Sequence, residues 1–513
     1  MKKTFKHFTI LLQVVCLVIL NSCSEEFLER DSESQFTKDQ FYQTPEQISV
    51  ATNSLYISSW KDWASNRFWV FSELAGGNGI TTDSRNRDFG TFVFDSSHEQ
   101  FETSWASLYG VVAQSNSVIK AITTQAGPDV SKAQIDNAIG EARAMRATAY
   151  FFLVRLYGDI PIYEDTEAAA LNTDIKRNIV SDVYRFIKED LEFAANNITH
   201  TKAGQPGRIT ANAAKALLAK VNLHTEDYDE AYNLTLEVVG SGAYDLMENY
   251  ADLFLTENDN NKESMIALQW TGTGDFNEGN GLQSMFAYSQ ITGFSDGWSA
   301  IGPSIDLIES YEKDDSDVVI DQRFDPTLMT PGTVYSDLNQ GYVVSNDPST
   351  FTQRALAGIK KYVVGRPEFN GGGAQQSYAN NTYILRYADV LLMHAEAILR
   401  GGGGTVSDAA AVLNTVRDRA GLDPIASPTL EDVFEERRHE FAFEGERWYD
   451  ILRMDNRLQY LANIERGYYN NNDRNDFVSV KTTVTEDQLV FPIPLNEIIA
   501  NPKIKESPVS YYE

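Results

Sequence analysis

Along most of this chain apolar residues recur at the three-and-four spacing that lays one stripe down a helix. Over residues 101–122, Trp105, Leu108, Tyr109, Val112, Asn116 and Ile119 keep that spacing, with Thr103 or Ser104 in place to cap the helix. Over 141–156 the stripe is Ala142, Met145, Ala149, Phe152 and Leu156, and Gly158 followed by Pro161 ends it. Further helices are predicted over 180–196, 210–223 and 228–239. In the last two, Ala213, Leu217 and Val221 match Ala231, Leu234 and Val238 across a turn at 224–227, and small residues on both facing sides let an antiparallel pair approach closely. Helix pairs of this size point to tetratricopeptide-like units of about 34 residues. A generic helical bundle is the plainer alternative.

The pattern breaks over 241–379, which is rich in Gly, Asn, Asp, Ser and aromatics and holds short strand-like runs at 265–270 and 342–344. A long irregular segment inside a helical scaffold is more often functional than idle. Helical periodicity returns over 383–399, stops at Gly401, Gly402, Gly403 and Gly404, and resumes over 407–420 and 430–453. The pattern alone predicts a mainly α chain of paired helices, interrupted by one long irregular segment with few short strands.

The start of the chain reads differently. Lys2, Lys3 and Lys6 precede an apolar run over 9–20, shorter than the roughly 20 residues that cross a bilayer. That is the anatomy of a secretory signal. It ends in Leu20-Asn21-Ser22-Cys23, which resembles the lipobox of bacterial lipoproteins. The resemblance implies that residues 1–22 are removed and that Cys23 carries lipid. At about 0.8 kcal/mol per buried CH₂, several acyl chains make a stable anchor. A plain signal peptide with a chance cysteine is the alternative. Ser24-Glu25-Glu26 is similar to the acidic tag that sends some Gram-negative lipoproteins to the outer face of the outer membrane. Residues 23–43 are polar and read as a flexible leader.

Composition narrows the partners. With 513 residues and a net charge of −30, the chain can bury a large core and should repel nucleic acid and anionic membrane surfaces. Its 2 cysteines, Cys16 and Cys23, leave no disulfide for the mature protein. The aromatic share of 12% is high enough to serve a core, a stacking surface or both.

Five stretches, in order, resemble the SusD/RagB family of outer-membrane nutrient-binding lipoproteins. They are Glu141-Ala142-Arg143-Ala144-Met145-Arg146-Ala147 through Leu156-Tyr157-Gly158-Asp159-Ile160-Pro161; Leu385-Arg386-Tyr387-Ala388-Asp389 with Ala395-Glu396-Ala397; Leu413-Asn414-Thr415-Val416-Arg417 to Leu422; Glu436-Arg437-Arg438-His439-Glu440 to Arg453; and Phe491-Pro492-Ile493-Pro494 with Asn501-Pro502. The resemblance implies a mainly α fold with tetratricopeptide-like helix pairs on one side, a loop-rich side that binds ligand and few short strands, divided into a TPR-like helical part over 44–240 and a C-terminal part over 241–513 that pack as one globular unit. It also implies a SusC-like TonB-dependent transporter as partner, mostly glycan ligands with peptides for some members, no cofactor and no catalysis.

The residues themselves raise one enzymatic alternative. Glu436, Glu440 and Glu444 stand four apart, a spacing that on a helix approaches the roughly 5 to 5.5 Å carboxyl separation of retaining glycosidases. Arg437, Arg438 and Arg447 interleave them and favour the ionised form, so an ion-pair lattice accounts for the stretch better. His439-Glu440 lacks the second histidine of a zinc helix. Asp314-Asp315-Ser316-Asp317 has the charge for a structural calcium but matches no loop pattern, and reads as a solvated run. Gly76-Gly77-Asn78-Gly79 and Gly371-Gly372-Gly373 are turns.

A sugar presents apolar C–H faces and a ring of hydroxyls, so its site needs aromatic planes edged with carboxylate, amide and guanidinium groups. The stretches 65–69 with 82–87, and 288 with 294–298, supply both. The candidate ligand-binding residues are Trp69, Asp83, Arg85, Tyr288, Phe294 and Trp298.

Overall fold

The computed structural model describes residues 41–513 apart from 167–168, 170–173, 273–277, 294–296, 348–349, 352, 367 and 369–375. The signal, Cys23 and most of the leader therefore lie outside the described residues. The end of the leader already belongs to the fold: Gly127 N–H donates to the Tyr42 carbonyl at 3.0 Å.

The long helices are α1 (Glu99–Gln125), α2 (Lys132–Tyr157), α3 (Val180–Asn197), α4 (Ala211–His224), α5 (Tyr228–Gly240), α6 (Tyr387–Leu399), α7 (Val406–Arg419) and α8 (Leu430–Phe441), followed by the short α9 (Arg447–Leu452). From α1 to α7 each packs on the next, so the chain builds a stack of helices. The loop-rich segment is an insertion between α5 and α6, which are neighbours in the stack. Periodicity located these helices, and local chemistry sets their ends. Ser131 and Gln134 form a capping box at α2, Thr210 caps α4, and Gly158 ends α2 at φ 69°. The cap of α1 is the His98 ring, which accepts from Gln100 N–H at 3.2 Å, while Thr103 Oγ1 donates inside the helix to the Glu99 carbonyl.

Strands are short and paired across long stretches of chain. β1 (Gly79–Ile80) pairs with β3 (Gly302–Pro303), β2 (Ser264–Leu268) with β8 (Thr382–Arg386), β4 (Leu328–Met329) with β7 (Gly358–Ile359), β5 (Val334–Tyr335) with β6 (Tyr342–Val343), and β9 (Tyr468–Tyr469) with β10 (Phe477–Val478), all antiparallel.

Two expectations from periodicity are corrected. Residues 383–386 are strand rather than helix, because Tyr383, Leu385 and Arg386 pair with the buried β2 and the helix begins only at Tyr387. The predicted helix over 430–453 breaks after Phe441: Phe443 and Gly445 take φ of 63° and 91°, so Glu444 leaves the face that carries Glu436 and Glu440.

Those carboxylates sit in a buried lattice of charges. Arg386, at the junction of β8 and α6, holds Glu440 at 2.9 Å and Glu444 at 2.7 Å and also binds Glu263. Arg323 holds Glu436 at 2.6 Å and Glu440 at 3.2 Å, and Arg417 and Lys361 complete the pairing of Glu436 and Glu444. The adjacent arginines face other groups: Arg437 binds Asp389 and Asp450, Arg438 binds Asp306, and Arg447 lies near Glu435. Residues one apart on a helix do not face each other. Lys220 of α4 joins Asp389 and Glu446, so the lattice ties the N-terminal stack to the C-terminal helices.

The Asp314 carboxylate closes a turn, accepting from Ser316 N–H at 2.8 Å and Val318 N–H at 3.0 Å. Among the described residues no group of three or more His, Cys, Asp or Glu is placed to hold a metal ion.

Asp259 is an acid whose environment works against its charge. Burial pushes its carboxyl up to about 7, although the Asn381 N–H donates to it. Between pH 4 and 7 the folded chain therefore holds a proton that the unfolded chain has lost, and the Asp259 contribution to stability falls as pH rises through that window. Asp259→Asn is expected to stabilise the protein on the order of 2 kcal/mol at pH 8 and hardly at all at pH 4. Urea melts at the two pH values check this; an equal change at both would refute it.

Candidate functional site

The pairing of β1 with β3 decides where the two aromatic stretches go. β1 runs directly into Thr81, Thr82 and Asp83, and β3 follows Trp298, Ser299 and Ala300, so their register of Gly79 to Pro303 and Ile80 to Gly302 sets the two segments side by side. Thr81 Oγ1 donates to the Ala300 carbonyl at 2.8 Å. A third segment clamps them: Gln353 Oε1 accepts from Thr82 N–H at 2.6 Å, and its amide donates to the Ser299 carbonyl at 2.5 Å.

Between these segments lies an open cavity of about 350 Å³. Trp69, Asp83, Arg85 and Trp298 all line it, together with Arg67, Glu99, Gln100, Met285 and Gln353. Four of the six candidate residues thus meet in one place.

Trp298 is 44% exposed, which is unusual for an indole here; Trp69 in the same wall is 2% exposed. Its backbone is held firmly. Trp298 N–H donates to the Ser284 carbonyl at 2.8 Å, and Ser299 N–H to that of Ala287 at 2.9 Å. Ser299 adopts φ 45°, a region sparsely used by residues other than glycine. On the other side Gly297 lies so close to Tyr288 that a Cβ there would meet its carbonyl carbon at 2.3 Å. Only glycine lets the two backbones bridge at this point.

Tyr288 is the correction among the candidates. It is buried, packs edge-on against Phe351 and lines no part of the cavity. Its backbone forms an antiparallel bridge with Trp298 and so helps fix the segment that carries the exposed indole. Phe294 lies outside the described residues.

The polar edge is organised around Asp83. Its carboxylate accepts from the Arg85 backbone N–H at 3.0 Å and from the Arg85 guanidinium at 3.0 Å. Burial works against the Asp83 charge, but the Arg85 hydrogen bonds outweigh it and hold the carboxyl below its usual range. Paired in this way, the Arg85 side chain still remains 73% exposed. Next to it Asn86 accepts from the Gln100 amide at 2.7 Å. Burial pulls the Arg67 guanidinium down, with Asp62 and Glu99 opposing. Trp69 Nε1 and Gln100 Oε1, both buried behind the wall, have no hydrogen-bond partner among the described residues.

Sequence reasoning missed Glu99, Gln100 and Gln353. The first two open α1, where they read as ordinary first-turn residues, and Gln353 stands in a loop with no local signal. Glu436, Glu440 and Glu444 line no part of this cavity.

Comparison with known proteins agrees with this architecture. The model of the SusD family matches residues 229–511, and a second model, described as starch-binding and associating with the outer membrane, matches residues 26–223. The chain belongs to the SusD family. A SusD-like protein of Bacteroides ovatus is 32% identical over 99% of both chains. The starch-binding protein SusD of Bacteroides thetaiotaomicron is 23% identical over 72% of each. A solved structure that contains a xylogluco-oligosaccharide is 32% identical and superposes with a TM-score of 0.80 over 90% of this chain and 99% of that one.

Proposed function

We propose that this SusD-family protein captures oligosaccharide in the cavity at Trp298 and delivers it to a SusC-like TonB-dependent transporter in the outer membrane. Lipid at Cys23 holds it on the cell surface, and the polar leader gives it reach to sit over the transporter. The observation that carries the reading is the half-exposed Trp298 indole in one open cavity with the Asp83–Arg85 pair. An aromatic plane stacks on a sugar face, and a carboxylate with a guanidinium binds its hydroxyls.

The reading is binding without catalysis. A glycosidase needs an acid whose proton is retained near neutrality. Arg85 pulls the Asp83 carboxyl the other way.

Calorimetry of the mature protein against xylogluco-oligosaccharides, malto-oligosaccharides and a peptide panel tests this. Saturable binding of a glycan without release of reducing ends is the expected result. Binding of peptides alone would make the protein the lid of a peptide importer, and release of reducing ends would make it a hydrolase. In cells, Cys23→Ala is expected to move the protein from the membrane fraction to the soluble fraction; continued sedimentation with membranes would remove the lipid anchor from the reading.

A further inference from the structure

A second cavity, of about 90 Å³, shares Gln353 with the cavity at Trp298. Its lining includes Ile80, Thr82, Arg87, Gly90 and Tyr468, drawn from β1 and the loop after it, the short helix Arg87–Thr91 and β9. Gln353 is the strut between the two. Its carbonyl oxygen also accepts from Thr82 Oγ1 at 3.1 Å, so both ends of the amide are engaged by protein groups on either side. It holds the two openings in fixed relation.

Gly90 is the informative residue. It lies inside a helix, where glycine costs roughly 0.5–1 kcal/mol relative to alanine. Its φ is not positive, so the backbone does not call for glycine. Packing does not call for it either, since a Cβ there would find only the Leu74 carbonyl oxygen within 4 Å, at 3.9 Å. What the missing side chain preserves is the open space of the cavity.

Tyr468 supplies a fixed aromatic face. The Arg354 guanidinium sits 5.4 Å from its ring centre, and the next residue, Tyr469, donates its N–H to the Arg354 carbonyl at 2.9 Å. β9 is pinned again by its pairing with β10. Ile80 adds an apolar floor, and the exposed Thr82 and Arg87 stand at the rim with hydroxyl and guanidinium. An aromatic ring and an apolar side chain in one cavity with hydrogen-bonding groups repeat the chemistry at Trp298. Two adjoining cavities of like chemistry suit one ligand built of like units.

We infer that Gly90 and Tyr468 form a second sugar subsite, which takes the continuing chain of an oligosaccharide seated at Trp298. The inference rests on the glycan-binding reading above. It is tested by calorimetry on the mature protein with xylogluco-oligosaccharides and malto-oligosaccharides of graded length. Affinity should rise with length in the wild type. Gly90→Leu, which fills the second cavity without backbone strain, and Tyr468→Ala should each weaken the longest bound oligosaccharide about 10-fold, a loss of about 1.4 kcal/mol. Tyr468→Phe should retain the gain with length, and thermal melts of all three variants establish that they fold. Trp298→Ala should weaken chains of every length. If glycans bind through Trp298 but Gly90→Leu and Tyr468→Ala follow the wild type at every length, the second subsite is overturned and the glycan reading stands. If neither series binds, both fall.

Discussion

Glu440→Ala is expected to destabilise the folded protein by about 3–5 kcal/mol, a large part of the 5–15 kcal/mol that holds a typical domain together. Glu440 is 0% exposed and is shared by Arg323, Arg386 and Arg419. Burial opposes its charge, yet the three guanidinium groups hold its carboxyl far below the usual range. Removing it takes away a carboxylate shared by three buried guanidinium groups. Arg323 keeps Asp321 and Glu436, Arg386 keeps Glu263 and Glu444, and Arg419 keeps Glu263, so the cost arises from the lost pairing and from buried donors left without their acceptor. An exposed pair behaves differently: Asp136→Ala, which breaks the Lys132–Asp136 contact on the surface of α2, should change stability by less than about 1 kcal/mol. Urea unfolding of both variants compares them directly. A loss at Glu440 as small as that at Asp136 would mean that the lattice does not hold the C-terminal helices to the stack.

Trp298→Ala should weaken oligosaccharide binding by about 10- to 100-fold and leave the melting temperature nearly unchanged. Anchors of an interface are typically exposed aromatic side chains whose truncation costs about 2 kcal/mol or more. The side chain is already half-exposed, so its loss opens no core cavity, and the hydrogen bonds that fix the segment run through the backbone. Wild-type affinity in a variant that melts normally would place the sugar elsewhere.

The same two residues show how legible this protein is. The carboxylates of α8 could be read from the sequence as ion-pair partners rather than as catalytic acids, because arginines crowd them. Their actual partners could not, since Arg323 and Arg386 come from distant segments and the left-handed turn at Phe443 redirects Glu444. At the candidate site, aromatics beside short polar residues led to Trp69, Asp83, Arg85 and Trp298, which the fold brings to one cavity. The same signal also chose Tyr288, because type and neighbours do not say which side of a loop a ring will occupy. Gln353 carried no signal at all, since its role consists of three hydrogen bonds to residues that are remote in sequence.

What the sequence determined by itself is the stack of helices with the stops at Gly158 and Gly401, the signal-like start with Cys23, and the family through its ordered motifs. All of these depend on contacts within a few residues, where a periodic stripe, a Ser131-type cap or a terminal glycine acts through short-range geometry. Tertiary structure alone decided that the segments after β1 and before β3 share a cavity, that Gln353 clamps them, and that Gly90 and Tyr468 open beside them. Those outcomes follow from which distant strands pair once the chain has closed. Pairing of two-residue strands leaves almost no local pattern to read, because its stability comes from the packed surroundings rather than from the strands.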